Sequence, residues 1–413
     1  MENNYFNSFT KNKVSLVQFF LFLTILLSVG TSFGQTTTRY QSVIKGGATL
    51  FGNSWYYSTT SNTGTNTNTR LVPDIDGDAT TSHSTSSDLI LPAGSRIERA
   101  FLAIEKGING GSFTSVKFKA PGSAAYTTLN TTTALANKTT GATYYQAIWD
   151  VTTMMPATGY VSVAGGGTAG SYFVADPLPS STTLPMGGWS IIVVYSNANS
   201  PSRNITVADN WQFFNNATVN SDVNNVTVPA SGIVTAVVGL TGTYGDRTYS
   251  DFLRFGTTTG ALTNLADPRT GVTNDALNSS IAMTANNNVS ADGGPAMSGN
   301  VIARNPISGG HIYGPAESWD YDSDIFNASG ILPNSLLPIN VRLQQESTGG
   351  DFLASGSYFI SIDVTAPTVT KTLSPTTIID GQTATYTWVV ANNGGGAAQL
   401  TGLGFVDTLP TNI

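Results

Sequence analysis

The chain has 413 residues, no cysteine and a formal net charge of −7, and only 10% of its residues are charged. Disulfides and thiolate chemistry are therefore excluded, and a chain this long can bury a core without disulfide cross-links. Nucleic-acid binding is not expected, because neutralising phosphates requires clustered Lys and Arg side chains.

The N-terminus has the pattern of an export signal. Lys11 and Lys13 precede the apolar run Val14–Val29, and small residues follow at Ser32–Gly34. We predict a signal peptide over residues 1–34, with cleavage before Gln35 and an extracellular or outer-surface location. An uncleaved membrane anchor is the alternative, but the apolar run is short for a spanning helix. No later stretch is apolar enough to cross a membrane.

Residues 35–366 predict one large all-β unit. Short apolar runs alternate with Gly, Pro and Asn, a pattern typical of a β-sandwich or jelly roll. Helices should be few and short, with one candidate at Ala147–Met155. The predicted strands are Ala48–Phe51, Asp88–Leu91, Ala100–Ile104, Val116–Lys119, Tyr160–Val163, Trp189–Tyr195, Asn204–Val207, Ile233–Val238, Phe252–Phe255, Ile339–Leu343 and Tyr358–Val364.

Three of these runs also predict how the strand is covered. Ser190–Tyr195 and Ile233–Val238 are almost continuously apolar, which indicates central strands buried on both faces. In Val116–Lys119 the apolar residues alternate with Lys, which indicates a strand that faces solvent on one side.

Residues 367–413 predict a β-hairpin. Ala384–Val390 alternates like a half-buried strand, and Asn392–Gly396 is a turn signal. Since an isolated hairpin is marginal in water, either this segment packs on the preceding unit or it belongs to an incomplete module. An ordinary C-terminal hairpin is the alternative to an incomplete module.

The same segment resembles the domain-of-unknown-function-eleven repeat of bacterial surface proteins. The resemblance rests on a series of residues over about a tenth of the chain: Lys371, Pro375, Gly381, Tyr386, Asn392, Gly394 and Asp407–Pro410. It implies the first half of an immunoglobulin-like β-sandwich, and a longer protein that continues into further repeats.

The large unit resembles the N-terminal region that often precedes such repeats. The resemblance implies a location on the bacterial surface and says little about activity. Its landmarks follow one another along the unit: Asp74–Asp78, Leu91–Gly94, Gly188–Tyr195, Arg203–Val207, Gly245–Arg247, Asp320–Asp322 and Gly349–Asp351.

Two acidic clusters are candidate metal sites. Asp74, Asp76 and Asp78 alternate around Gly77, which would let three carboxylates point the same way, and Ca²⁺ prefers such oxygen ligands. The spacing is not that of an EF-hand, and a solvated acidic turn is the competing interpretation. The same spacing recurs at a second cluster, where an exposed strand edge is the alternative: Asp320, Asp322 and Asp324.

The sequence favours a non-enzymatic function. The chain has only two histidines, His83 and His311, and neither has a partner at ligand spacing. We expect an adhesin or surface-layer component whose β head, stabilised by structural Ca²⁺, binds a surface glycan or a matrix protein. A secreted carbohydrate-active hydrolase that uses Asp pairs and a purely structural spacer remain the alternatives.

Overall fold

The computed structural model contains twenty β-strands and two short 3-10 helices in the residues that it describes. The 3-10 helices are Thr131–Thr133 and Thr152–Met154. The described residues are 36–55, 73–89, 91–107, 114–140, 144–159, 171–177, 187–245, 250–268, 270–283, 318, 321–364, 368–377, 379 and 381–391.

The strands are numbered in chain order. The first ten are β1 (Thr37–Ser54), β2 (Ser84–Asp88), β3 (Arg96–Gly107), β4 (Ser115–Lys119), β5 (Thr127–Asn130), β6 (Ala136–Thr140), β7 (Tyr144–Asp150), β8 (Ser171–Ala175), β9 (Gly187–Ser196) and β10 (Ser202–Asn215). The others are β11 (Thr218–Val226), β12 (Ala236–Thr243), β13 (Asp251–Thr257), β14 (Thr263–Asn264), β15 (Ile281–Met283), β16 (Tyr321–Asn327), β17 (Ile339–Ser347), β18 (Phe352–Asp363), β19 (Thr368–Ser374) and β20 (Thr385–Ala391).

A ten-stranded sheet runs in the order β15-β16-β12-β18-β10-β1-β9-β3-β7-β6, and β1 joins its two halves. Residues 37–45 of β1 pair with β10, whereas residues 46–54 pair with β9. At the changeover only glycine fits, because a Cβ on Gly46 would lie 1.9 Å from the carbonyl oxygen of Tyr195. We call the half from β9 to β6 inner sheet 1 and the half from β15 to β10 inner sheet 2.

Two four-stranded sheets cover the inner sheets. Outer sheet 1, in the order β2-β8-β4-β5, shares a hydrophobic core with both inner sheets. Outer sheet 2, in the order β11-β17-β13-β14, encloses a second core against inner sheet 2. The large unit is therefore a stack of sheets, and the prediction of an all-β sandwich is confirmed.

Inner sheet 2 is buried on both faces. On β18, Phe359 belongs to the core shared with inner sheet 1, whereas Tyr358 and Ile360 belong to the core under outer sheet 2. Successive side chains of a strand point to opposite faces, so this division follows from the period of two. Inner sheet 1 is covered in the same way, because Trp189 bonds to Thr85 of outer sheet 1 and Ser190 bonds to Ser323 of inner sheet 2.

The predictions of strand coverage were right for two runs. Every residue of β9 from Gly187 to Tyr195 is buried, as the apolar run Ser190–Tyr195 predicted. On β4, Val116 and Phe118 are buried and the residues between them are partly exposed. The predicted strand Tyr160–Val163 lies outside the described residues.

The predicted strand Ile233–Val238 was wrong at its start. Ile233 is 80% exposed and β12 begins only at Ala236. Gly232 adopts a left-handed backbone with φ of 85°, so the chain turns there and Ile233 lies in a loop. The predicted strand Asp88–Leu91 was also misplaced, because the observed strand β2 covers Ser84–Asp88 and ends where the predicted one begins.

The predicted helix Ala147–Met155 was wrong. Its first four residues belong to β7, which pairs with both β3 and β6, and only Thr152–Met154 forms a single 3-10 turn. Aromatic and β-branched side chains disfavour a continuous α-helix and favour a pleated strand, and Ile148 and Trp149 lie in β7.

The C-terminal segment forms the antiparallel hairpin β19–β20. Lys371 is opposite Trp388, and its ammonium group lies 4.2 Å from the ring centre of Tyr386 and 4.9 Å from that of Trp388. The valines Val389 and Val390 are exposed. Residues 392–413 lie outside the described part, so the predicted turn and the half-repeat stay predictions, as does the domain boundary at 366/367.

The contact between inner-sheet residues Gly239 and Phe359 tests the packing of inner sheet 2. A Cβ on Gly239 would lie 2.1 Å from the Phe359 ring. We expect Gly239→Ala to lower the free energy of unfolding by about 1–3 kcal/mol, as overpacking typically does. Urea titration of Gly239→Ala, Phe359→Leu and the double variant measures this. If the two side chains touch, the double variant should lose less unfolding free energy than the two single variants lose together. Strictly additive losses would contradict the contact.

Candidate functional site

Four aromatic side chains from separate parts of the chain form a row, which we call the aromatic stack. Tyr144 and Phe213 stack face to face with ring centres 3.7 Å apart, and Phe352 stacks on Phe213 at 5.4 Å with an interplanar angle of 9°. Tyr244 meets Tyr144 edge-on at 4.9 Å. Such arrangements are favoured by the negative faces and positive edges of aromatic rings.

The stack lies where the two inner sheets meet. Tyr144 is the first residue of β7 in inner sheet 1, whereas Phe213 and Phe352 come from β10 and β18 of inner sheet 2. Two further hydrogen bonds join the sheets there: Trp211 Nε1 donates to the Tyr144 carbonyl at 3.4 Å, and the Phe213 amide donates to Thr140 Oγ1 at 3.4 Å.

The rings of the stack are only partly covered. Phe352 is 48% exposed, and Tyr144, Phe213 and Tyr244 are half-buried. In contrast, the neighbouring Phe214 points into the core under outer sheet 2. A rigid row of partly exposed rings offers an apolar contact surface at low entropic cost.

Tyr244 is held in an unusual backbone conformation. Its φ is 76°, in the left-handed region that non-glycine residues avoid, and it directly follows β12. A Cβ on Gly107 would lie 2.6 Å from the Tyr244 hydroxyl, so glycine allows the ring to approach the end of β3. Backbone strain of this kind is often found at functional sites.

Sequence reasoning missed the aromatic stack. Its successive members are separated by 31 to 108 positions in the chain, so no local pattern connects them. The available signal was weak: Phe213 follows a Trp-Gln pair in a long strand, and Phe352 follows a Gly-Gly-Asp turn.

The first predicted acidic cluster is a loop closed by its own hydrogen bonds. Asp76 Oδ1 accepts from the Asp78 amide at 2.9 Å and from Thr81 Oγ1 at 3.0 Å, and Asp76 Oδ2 accepts from the Tyr126 hydroxyl. Asp78 accepts from Thr80, which lowers the pKa of its carboxyl. Asp74 accepts from Ser84 Oγ at 3.1 Å.

In the second cluster, Asp322 and Asp324 are fully buried on β16, and Asp320 lies outside the described residues. Asp322 accepts from the Ser280 amide and Asp324 from the Ser280 hydroxyl, each at 3.0 Å. The alternative of an exposed strand edge was wrong, because β15 pairs alongside β16.

Neither cluster brings three carboxylates together in the described part of the chain. Within those residues, no group of three or more His, Asp or Glu side chains is placed to hold a metal ion. Calcium binding by Asp74, Asp76 and Asp78, or by the cluster that includes Asp320, therefore stays a prediction.

A buried carboxyl group lies between the two inner sheets. Glu105 of β3 is fully buried, and its Oε1 accepts from Thr241 Oγ1 at 2.7 Å, Gln146 Nε2 at 2.9 Å and the Ser357 amide at 3.1 Å. Burial raises the pKa of Glu105 to about 7, although the three hydrogen bonds lower it. The group thus connects strands of both inner sheets and changes charge near neutral pH.

Comparisons with known proteins assign the chain to no family. No family model matches the chain, and no curated protein matches it. Among solved structures, the major capsid protein P2 from bacteriophage PM2 matches over 76% of this chain and 97% of its own, with 13% identity and a TM-score of 0.18. An infectious bursal disease virus structure (Gt strain) matches over 80% and 71%, with 10% identity and a TM-score of 0.18. These scores are too low to bear on function.

A membrane-spanning helix is not found in the described ranges. No helix there is long and apolar enough to cross a membrane.

The loop around Asp76 tests whether its hydrogen bonds stabilise the fold. We expect Asp76→Ala to lower the free energy of unfolding by about 1–3 kcal/mol, because three donors lose their acceptor. Asp78→Ala is the matched control and should cost less, since in the described residues the Asp78 carboxylate accepts only from nearby Thr80. Urea titration measures both, and equal losses would contradict a central role for Asp76.

Thermal melting in calcium and in EGTA extends this experiment to the predicted cation. A melting temperature that calcium raises in the wild type but not in Asp76→Ala would support calcium binding at this loop. Equal melting temperatures in both buffers would reject it.

Titration of Glu105 should make the stability depend on pH. Its pKa is about 7 in the fold and 4.5 ordinarily, so the folded state binds more protons between these values. The stabilisation of the folded state by protonated Glu105 is therefore fully present below pH 4.5 and is lost as pH rises through 7. The free energy of unfolding should fall by about 3 kcal/mol in total over this range. Unfolding free energies of the wild type and Glu105→Gln between pH 4.5 and 8 measure it. We expect a flatter profile in the variant, and identical slopes would contradict the assignment.

Proposed function

We propose that the chain is the non-enzymatic binding head of an exported bacterial surface protein, and that the aromatic stack contacts a neutral surface glycan. The observation that carries the proposal is the partly exposed row of Tyr144, Phe213 and Phe352. Export rests on the predicted signal peptide, and the surface location also rests on the resemblance of residues 371–410 to bacterial surface repeats.

Sugar chemistry fits this surface. The C–H groups on one face of a pyranose ring carry weak positive charge, and the faces of aromatic rings are negative. Hydrogen bonds hold the segment that carries Phe352 against the end of β10: the Asn215 side-chain amide donates to the carbonyls of Gly350 and Asp351, each at 2.8 Å, and the Gly350 amide donates to Asn216 Oδ1 at 2.8 Å. An apolar surface that is ordered before it binds loses less entropy on binding.

The net negative charge of the chain favours neutral glycans over anionic ones. Without Lys11, Lys13 and Glu2, the predicted mature chain has 16 basic and 24 acidic residues. An acidic protein repels anionic polymers at long range. The proposal therefore names neutral polysaccharides and not sulfated or uronic-acid-rich ones.

The position of the stack suits a head that binds at a distance from its attachment. Phe352 begins β18 and Asp363 ends it, and the chain continues from there to β19. A twelve-residue strand places these ends about 37 Å apart. The stack thus lies at one end of inner sheet 2 and the connection to the C-terminal hairpin at the other.

Hydrolysis by an Asp pair is less well supported than binding. Asp322 and Asp324, a pair that the sequence offers at close spacing, are fully buried and bonded to Ser280. A glycosidase needs both carboxyls in contact with substrate and water. Burial inside inner sheet 2 favours a structural role for this pair.

Removal of the outer ring of the stack tests the proposal. We expect Phe352→Ala to weaken binding to an immobilised neutral polysaccharide about tenfold, equivalent to about 1.4 kcal/mol, because the exposed ring face is lost. Tyr144→Ala should have a comparable effect. The probes are a panel of β-glucan, xylan, mannan and chitin, measured by affinity electrophoresis and by array.

The matched control is Phe252→Ala, which removes a partly exposed phenylalanine from outer sheet 2, outside the stack. It should bind like the wild type. Equal binding by Phe352→Ala and wild type would place the ligand elsewhere. Binding to none of the polysaccharides would refute the glycan and favour a matrix protein or a structural spacer.

A further inference from the structure

Glu105 lies behind the aromatic stack, in the contact between the two inner sheets, which we call the seam. On β3 it is followed two residues later by Gly107, which is in register with Tyr144 of β7. Gln146, which donates to Glu105 Oε1, comes two residues after Tyr144 on the same strand. Because side chains two positions apart share a face of a strand, Tyr144 and Gln146 point the same way. The first ring of the stack and the buried carboxyl group are therefore neighbours on one pair of strands.

The strand pairing of inner sheet 2 is irregular at the level of Glu105. The register of β18 shifts against both of its neighbours, β10 and β12, and on both sides pairing resumes at Ser355. At this irregularity the Ser357 amide donates to Glu105 Oε1 at 3.1 Å and to Thr241 Oγ1 at 2.9 Å. Gly356 makes room for the carboxyl group, since a Cβ there would lie 2.4 Å from Glu105 Oε1. Glu105 thus bonds to inner sheet 2 where the ladder of that sheet is disrupted.

Three rings of the stack lie beyond this irregularity. Phe213 of β10 is in register with Ala354 of β18, and Phe352 precedes Ala354 by two residues. Tyr244 directly follows β12, whose last residue is in register with the same alanine. The strand ends that carry these rings continue from the irregular stretch, where Glu105 accepts hydrogen bonds from both β12 and β18. The position of the rings should therefore depend on that carboxyl group.

The carboxyl group of Glu105 faces uncharged groups on five strands. Its donors on β7, β12 and β18 are an amide side chain, a hydroxyl and a backbone amide, and its register partner on β9 is Gly188. From β16 comes the Tyr321 hydroxyl, which stays neutral because burial and the nearby Glu105 raise its pKa. Asp322 and Asp324 point to the other face of β16.

The charge that acts on Glu105 has the wrong sign to stabilise its ionised form. Burial, and then the Asp209 carboxylate of β10, raise the pKa of Glu105, and Asp209 already pairs with Arg39 and Lys138. Lys106, the next residue of β3, points to the opposite face, where its ammonium group donates to a backbone carbonyl. Among the described residues, an ionised Glu105 is therefore a buried charge without a cation. Such a charge is unfavourable, and opening the seam to water relieves it.

We propose that Glu105 is a proton-operated positioning residue of the aromatic stack. With a neutral carboxyl group the seam stays closed and the rings of both inner sheets lie in contact; with an ionised one the seam opens and the rings move apart. Tyr144 and Phe213 are sensitive to this movement, since they come from opposite inner sheets and their ring centres are 3.7 Å apart. The consequence for glycan binding rests on the proposed function, whereas the movement of the rings does not.

Binding at the stack should weaken as pH rises. The pKa of Glu105 is raised to about 7 in the fold, so the closed form predominates below pH 7 and is lost above it. If only the closed form binds, the apparent affinity follows the protonated fraction of Glu105 and falls about tenfold between pH 6 and pH 8.

Binding measured at both pH values in Glu105→Gln tests the proposal, because glutamine keeps an acceptor oxygen and cannot ionise. The mature chain, residues 35–413, is titrated with β-glucan, xylan and mannan, which are neutral at both pH values. We expect the wild type to lose affinity about tenfold from pH 6 to pH 8 and Glu105→Gln to bind equally at both. Glu98→Gln removes a partly exposed carboxyl group from the same strand and should keep the wild-type profile. A flat profile in the wild type, or an equal fall in Glu105→Gln, overturns the proposal.

Hydrogen exchange reads the seam without a ligand, and decides the matter if none of the polysaccharides binds. The Phe213 amide donates across the seam to Thr140, and the Ser357 amide donates to Glu105. At pH 8 both amides should exchange at least about tenfold faster in the wild type than in Glu105→Gln, and this excess should shrink at pH 6. Equal rates at pH 8 overturn the proposal. The expected difference in a protein that binds no polysaccharide supports the movement of the rings and refutes only the glycan.

Discussion

Strands β12 and β18 of inner sheet 2 must bury both of their faces, and the rest of the large unit is arranged around this constraint. Phe359 faces one core and Tyr358 and Ile360 face the other. A sheet covered on both faces needs a partner sheet on each side, which inner sheet 1 and outer sheet 2 provide. Inner sheet 1 then has a second face of its own, and outer sheet 1 covers it. The layered stack follows from these requirements.

The layers also determine where binding can occur. With both faces of each inner sheet covered, the accessible parts of inner sheet 2 are its strand ends and the loops beside them. The aromatic stack lies at one end of β18, and the chain continues from the other end towards the C-terminal hairpin. A stiff central sheet keeps these two ends at a fixed separation. This arrangement suits a head that holds a ligand at one end and its attachment at the other.

The sequence predicted the class of fold because the apolar runs that form β9 and β4 are local signals. It could not reveal the layers, because the side chains between the inner sheets include Ser323, Ser357 and Thr241, which look like a solvent face. Small hydroxyl residues are buried there because they bond to each other and to Glu105. The aromatic stack was equally hidden, since Tyr144 and Phe352 both stack on Phe213 only when β7, β10 and β18 are brought together.

Native-state hydrogen exchange tests the central claim most directly. If inner sheet 2 is the buried middle of the stack, the amides of β12 and β18 should exchange only through global unfolding, with the largest protection in the chain. The amides of β19 and β20 should exchange much faster, because their side chains are largely exposed. Exchange of β12 and β18 at rates close to those of β19 and β20 would contradict the account.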